Sequence, residues 1–395
     1  MRIISSIAPQ KPCAARRGQA IKNKKRAVFG VIFLAVFAVV LISSDIAIEY
    51  MKKGLSLCAR VVIPSLFPFA VISELLVASG IGFSLSAPLA RPMKKIFGIS
   101  EAGACVFLLG TLCGFPIGAR SAALMYDRGD ISVREFTRLM TFCNNPGSAF
   151  VISAVGVSLL GNGRLGVLIY VCVILSALVV GFVGQFFFRD GEENQSTSRA
   201  LAPSANEMAV EVFTRAVSSS ASSMLTVCAY VAFFSTLVGC VGHFLSMAGV
   251  SATLTAFVFG ALEISGGVGA MSALPEPMLA AVGCAAVVGW SGISVHCQIM
   301  SMCAGRGVSF KPYLIAKLAQ SIICAAMVAA ALLLSRFNGN TGLEDVFLFW
   351  DKGIFDGATW VGVGFFVLSA APIVIKICRG EKYLSKKNKK IKKSS

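Results

Sequence analysis

Two stretches of this chain place polar side chains, glycine and proline inside sequence that is otherwise apolar enough for membrane helices. The first, 109–153, holds Cys113-Gly114-Phe115-Pro116-Ile117-Gly118-Ala119-Arg120 and then Cys143-Asn144-Asn145-Pro146-Gly147-Ser148. The second, 259–298, holds Glu263-Ile264-Ser265-Gly266-Gly267-Val268-Gly269 and then Trp290-Ser291-Gly292-Ile293-Ser294-Val295-His296-Cys297-Gln298. In hydrocarbon every freed backbone N–H or C=O costs several kcal/mol unless it is buried in protein or faces water. Broken apolar segments at matching places in two halves point to a solute site in a transporter.

Each side chain has a binding reading and a structural one. Pro116 removes a donor, while Gly114 and Gly118 tolerate unwinding, so backbone groups and a helix N-terminus become available to an anion. Arg120 follows the kink. At membrane depth it faces a substrate or a partner, or else it snorkels to the interface. Asn144, Asn145 and Ser148 supply amides and a hydroxyl, which either line a wet cavity or clamp neighbouring helices. Glu263 holds the corresponding place in the second stretch, as a cation or proton site or as the partner of Arg120. Ser265, Ser291, Ser294, His296 and Gln298 complete the set, and His296 could couple movement to protons or simply donate to a neighbouring helix. Gly289-Trp290-Ser291-Gly292 also fits the G-x-S-G pattern of rhomboid-type intramembrane serine proteases. Such chemistry needs a histidine from another helix, whereas His296 lies five residues on in the same segment and His243 precedes the serine. The chain is therefore expected not to be an enzyme.

These residues have to be held by a membrane scaffold. The 395 residues are 56% hydrophobic and 14% charged, with mean hydropathy +0.78, far beyond what a soluble domain can bury. The formal net charge of +17 does not mark a nucleic-acid binder, because nearly all of it lies in the tails. Residues 1–26 carry eight Lys/Arg and no acid, and residues 376–395 carry nine against Glu381 alone. Basic flanks follow the positive-inside rule and attract anionic lipid, so both termini are expected in the cytoplasm. The run from Val28 to Ile42 lacks a small-x-small cleavage site and reads as an uncleaved first helix. Thirteen scattered cysteines without a C-x-x-C pair and only two histidines give no disulfide framework, no metal centre and no expected cofactor.

About ten segments are long enough to span, near 27–44, 59–79, 101–125, 137–160, 164–188, 218–242, 250–274, 279–303, 311–336 and 358–377. Segments 101–125 and 137–160 read equally well as re-entrant hairpins. Leu109-Gly110-Thr111-Leu112 and Phe259-Gly260-Ala261-Leu262 stand 150 residues apart before the two breaks, a weak internal repeat. The expected plan is an all-α polytopic protein with a duplicated transporter-like core. A tail (1–26) and a first helix with its loop (27–54) precede one repeat (55–188). A polar linker (189–217) leads to the second repeat (218–336), then an outer loop with a last helix (337–378) and a second tail (379–395).

The block Gly114-Phe115-Pro116-Ile117-Gly118-Ala119-Arg120 resembles the G-[YF]-P-x-G-A-[KR] signature of the YlbJ-type sporulation integral membrane proteins. Phe142-Cys143-Asn144-Asn145-Pro146-Gly147-Ser148-Ala149-Phe150, with Ala154-Val155-Gly156, resembles their second block. Leu262-Glu263-x-Ser265-x-Gly267 and Gly292-Ile293-Ser294-Val295-His296-x-Gln298 resemble the matching half of a nucleoside-recognition (Gate) domain. The resemblance covers roughly 55–336 and departs from the pattern at Pro146, where Ser is frequent, and at Arg120, where Lys is frequent.

The resemblance implies a multi-pass transporter of endospore-forming bacteria, distantly similar to concentrative nucleoside transporters and working by alternating access. It places the protein in the cell membrane or the outer forespore membrane. The substrate it implies is dipicolinic acid, a flat dianion suited to an Arg fork, with a nucleoside or another small solute as the alternative. A membrane scaffold or sporulation assembly factor is the reading from another class. Substrate and membrane lipid are the expected partners, nucleic acid is not, and a homo-oligomer fits equally well.

Overall fold

A computed structural model describes residues 13–187 and 209–337. The expected last helix at 358–377, most of the polar linker, residues 1–12 and the C-terminal tail lie outside the described residues, while the basic residues from Arg16 to Arg26, expected in the N-terminal tail, fall within the first helix. Every regular element among the described residues is helical.

The chain opens with α1 (Cys13–Ile42), α2 (Ser44–Leu57), a π-helical turn Cys58–Val62 and α3 (Ile63–Ala78). After Gly80 in the left-handed region come α4 (Ile81–Pro92) and a second π-helical turn, Met93–Phe97. The first hairpin is α5 (Glu101–Cys113) and α6 (Ile117–Asp127), followed by α7 (Val133–Met140), a π-helical stretch Ala149–Leu159 and α8 (Gly163–Phe187). The second half runs α9 (Ala209–Met247), α10 (Ala252–Leu262), α11 (Ile264–Ser272), α12 (Pro277–Trp290), α13 (Gly292–Cys303) and α14 (Phe310–Phe337).

Local chemistry sets these boundaries. Ser100 caps α5 by accepting from Gly103 N at 3.1 Å, and Ser132 caps α7 by accepting from Glu135 N at 3.1 Å. The Glu135 carboxylate then accepts from Ser100 N at 2.6 Å, tying the two starts together. Glu276 caps α12, whose first residue is Pro277, a ring that suits a position where no donor is needed.

Four helices are long and apolar enough to cross a bilayer: Gly163–Phe186, Val210–Met247, Pro277–Cys303 and Phe310–Leu334. Two bent pairs, Arg26–Ile42 with Ser44–Val62 at 97° and Leu66–Ala78 with Ile81–Phe97 at 83°, raise the count to six. Sequence had suggested about ten segments long enough to span, with 101–125 and 137–160 open as re-entrant hairpins. The difference arises because 101–125 and 250–274 fold back on themselves and 137–160 is interrupted, while 81–97 forms a helical arm that the hydropathy pattern did not show.

Backbone contact proves the folding back. A Cβ on Gly118 would stand 3.1 Å from Gly110 Cα, and a Cβ on Gly267 would collide with Gly260 Cα. In one continuous helix those partners would be about 12 and 10 Å apart along the axis. Residues 101–127 and 252–272 are therefore two antiparallel hairpins, with their tips at Gly114–Pro116 and at Glu263.

Each hairpin is followed by a broken span and then a long antiparallel helix. Along α8, Gly166 meets Gly156 and Gly181 meets Phe142, so 133–159 runs antiparallel to it as one interrupted span. Along α14, Ser321 meets Ala286 and Tyr313 meets His296, so 277–303 does the same.

The two halves are inverted. Arg306, just past the end of α13, forms a two-pronged ion pair with Asp127 at the open end of the first hairpin, at 2.8 and 2.7 Å. Pro277, at the other end of that 27-residue span, adjoins the open end of the second hairpin. A span of that length measures about 40 Å, so the two hairpins enter from opposite faces. Outside this core, α2 and α9 lie side by side: Gly54 packs on Ala232, Tyr50 on Gly239, and Cys58 Sγ points to Cys228 O at 3.7 Å.

Candidate functional site

Each hairpin tip rests on the break of the span that follows it. At the first, Phe115 N donates to Asn145 O at 2.8 Å. Gly114 has φ +78°, and a Cβ there would stand 2.8 Å from Gly147 Cα, so only glycine fits both the backbone angle and the approach. The Phe115–Pro116 peptide is cis. At the second tip, Gly292 has φ +81°, and a Cβ there would lie 3.1 Å from Glu263 Cα. Trp290 Nε1 donates to Ala261 O at 3.2 Å across the same junction. Ser291 itself sits at φ 78°, a costly angle for a residue with a side chain, and it marks the break between α12 and α13.

Asn144 and Asn145 are fully buried at the first break. Asn145 Nδ2 donates to Phe142 O at 2.9 Å, and its Oδ1 accepts from Gln320 Nε2 at 2.8 Å. Asn144 Nδ2 donates to Met140 O at 3.3 Å, while its Oδ1 has no partner among the described residues. Gly118 lies directly against that oxygen, 3.0 Å from where its Cβ would be. Ser148, half-buried, starts the π-helical stretch beyond the break. Gly114, Pro116, Gly118, Asn144, Asn145 and Ser148 therefore form one constellation.

Arg120 is turned elsewhere. Its guanidinium pairs with Glu74 of α3 and donates to Ser219 Oγ of α9 at 2.7 Å, and Ser220 Oγ donates to the same carboxylate at 3.3 Å. The carboxylate partner of Arg120 is thus Glu74 and not Glu263. Both members of the pair are buried, Arg120 7% and Glu74 9% exposed, and they join the first hairpin to the helices outside the core.

Glu263 caps its own helix, its carboxylate accepting from Ser265 N at 3.0 Å and Gly266 N at 2.7 Å. Ser265 serves there through its backbone. The negative group thereby lies at the N-terminus of α11, where the unsatisfied donors of a helix favour it. Ser291 Oγ donates to Val288 O at 3.3 Å, and Ser294 Oγ accepts from Gln298 Nε2 at 3.4 Å. His296 Nδ1 contacts Tyr313 OH at 2.8 Å, its ring meets the Trp290 ring edge-on at 4.4 Å, and Nε2 is buried without a partner among the described residues. Ser291 and His296 make no hydrogen bond to each other.

The residues that sequence reasoning passed over lie chiefly on α14. Lys317 and Gln320 are completely buried. Lys317 Nζ donates to Asn144 O and to Gln320 Oε1, the latter at 2.8 Å, and Gln320 Nε2 also donates to Val173 O of α8 at 3.2 Å. One helix of the second half therefore reaches the backbone of the first break. Lys317, well inside the apolar run 311–336, was the available signal, since a charge at membrane depth marks a functional position by default. Glu74, inside the run 59–79, was a signal of the same kind.

No protein-family model matches the chain, and no solved structure matches it. The chain is 28% identical over 330 residues to the sporulation integral membrane protein YlbJ of Bacillus subtilis (strain 168), across 75% of this chain and 80% of the relative. That extended likeness, on a chain with apolar spans and paired hairpins, marks a multi-pass integral membrane protein similar to YlbJ.

Proposed function

We propose that the protein is a transporter, not an enzyme, that moves a small aromatic dicarboxylate, dipicolinate, across the outer forespore membrane during sporulation by alternating access. The observation that carries the transport reading is the pair of hairpins entering from opposite faces, each with its tip on the break of its own half's span. Irregular backbone at that depth survives only where protein or a water-filled cavity satisfies it. Such breaks near the midplane are where transporters hold solutes. The relative's name supports the sporulation setting.

Among the described residues, the buried groups without partners include Asn144 Oδ1 at the first break, His296 Nε2 beside the second and Arg120 Nη1 on the first hairpin; the first two are an acceptor and a ring nitrogen suited to a polar solute. Arg120 holds Glu74, so the carboxylate-binding role falls to other groups. That same observation favours a second reading, a neutral solute such as a nucleoside held by Asn144 and its neighbours.

The test is uptake of dipicolinate and, in parallel, uridine by the purified protein in liposomes, with Asn144→Leu as control. Dipicolinate uptake that is lost in the variant at equal protein level is the expected result. Uridine uptake alone would replace the substrate class. Movement of neither ligand would overturn the transport reading in favour of a membrane scaffold.

A further inference from the structure

Lys317 is a buried amine without a counter-charge. It is 0% exposed, and among the described residues no carboxylate lies within ion-pair reach of it. Its two acceptors are the Asn144 carbonyl and Gln320 Oε1. Two N–H donors satisfy both, which is what a neutral amine offers while keeping a lone pair; the third proton of an ammonium finds no acceptor here. An isolated charge in such a place costs several kcal/mol, and the group sheds its proton unless an anion joins it.

The surroundings supply no such anion. The titratable neighbours are the thiols of Cys143 and Cys324, with the His296 imidazole and the Tyr313 hydroxyl further along. From α12 comes Cys284, whose thiol turns to Val268 O at 3.6 Å. From α8 come Cys172 and Tyr170, the latter donating to Thr111 O at 3.1 Å. On α7, Glu135 is engaged with Ser100 in the first turn, next to Arg134, while Arg138 of the last turn donates to the Phe97 and Gly98 carbonyls.

We infer that Lys317 is the proton-coupling group: it is a neutral amine while sealed from solvent and takes up one proton when an anionic substrate reaches the first break. In this step a proton from the aqueous side bonds to the Nζ lone pair. The resulting ammonium neutralises one substrate carboxylate; the dicarboxylate then leaves on the opposite side and the N–H bond breaks to release the proton there, regenerating the amine. The inference rests on the transport reading above and adds its coupling ion and the cation that the substrate meets.

Liposomes containing the protein and a trapped pH-sensitive dye, with the membrane potential held at zero, test it. An inward gradient of one pH unit should drive about tenfold accumulation of dipicolinate, with one proton entering per dicarboxylate. Lys317→Arg keeps a cation that cannot release its proton. That variant should still bind dipicolinate, measured by quenching of intrinsic fluorescence, yet show no proton-driven accumulation. Dipicolinate exchange without proton entry in the unmodified protein would overturn the inference and leave the transport reading standing. Unchanged proton entry in Lys317→Arg would also overturn it. Absence of any dipicolinate exchange would remove the transport reading and this inference together.

Discussion

Gly110 lies against Gly118 across the first hairpin with no room for a side chain between them, and Gly260 and Gly267 repeat the arrangement in the second. Small residues let helix backbones approach closely where lipid provides no hydrophobic drive for association. Both hairpins depend on this contact, and their opposed insertion sets the topology.

Cysteines placed singly in a cysteine-free background check that topology. Positions 101 and 129, both exposed at the open end of the first hairpin, should react with an impermeant maleimide from the same face. Positions 251 and 275, exposed at the open end of the second, should react from the other face. Labelling of 101 and 129 from opposite faces would mean that the segment crosses.

The two glycines at the first tip should respond very differently to alanine. Gly114→Ala meets a left-handed φ and the Gly147 backbone at 2.8 Å, so loss of folded protein, or a deficit above about 2 kcal/mol, is expected in thermal unfolding in detergent. In Gly147→Ala the nearest atom is 3.5 Å away, an ordinary contact, and the variant should unfold near the parent temperature. Equal effects would show that the tip does not dock as described.

Two ion pairs offer a second contrast. Removing either Arg120 or Glu74 strands a buried charge and should cost about 3–5 kcal/mol, whereas the double change Arg120→Met with Glu74→Leu should recover much of the loss. The Arg306–Asp127 pair stands at the surface, with the Asp127 side chain 46% exposed. Its hydrogen bonds hold the Arg306 proton more tightly than usual, but a guanidinium is charged at any working pH. Asp127→Asn should cost no more than about 1 kcal/mol, an effect that fades in high salt.

Trp290→Phe removes the indole donor to Ala261 O and leaves an aromatic ring against His296. About 1 kcal/mol of stability should be lost. Cross-linking between cysteines placed at 261 and 290 should also slow if the second tip separates more readily. An unchanged cross-linking rate would assign the docking to the backbone contact at Gly292 alone.

Much of this was visible in the sequence. The breaks at Gly114–Pro116, 144–147, Glu263 and Ser291–Gly292 stood out because proline, glycine and amides interrupt apolar runs. The repeat showed through Gly110 and Gly260, which backbone contact conserves as a type. Hydropathy could not tell a hairpin from a span, since α5 and α6 together are as apolar as one crossing helix. The partner of Arg120 stayed hidden because Glu74 lies 46 residues away on another helix, and spacing carries no information about helix packing. Lys317 was concealed by the length of the apolar run around it.

The opposed halves are not in the same shape. The first tip is fastened by a backbone hydrogen bond from Phe115 and roofed by Lys317 and Gln320 from the other half, whereas the second is fastened by Trp290 of its own half. If each half were to take up its counterpart's arrangement, the molecule would present to one compartment the surface it now shows to the other. One motif, used twice, thus gives each face of the membrane its own fastening.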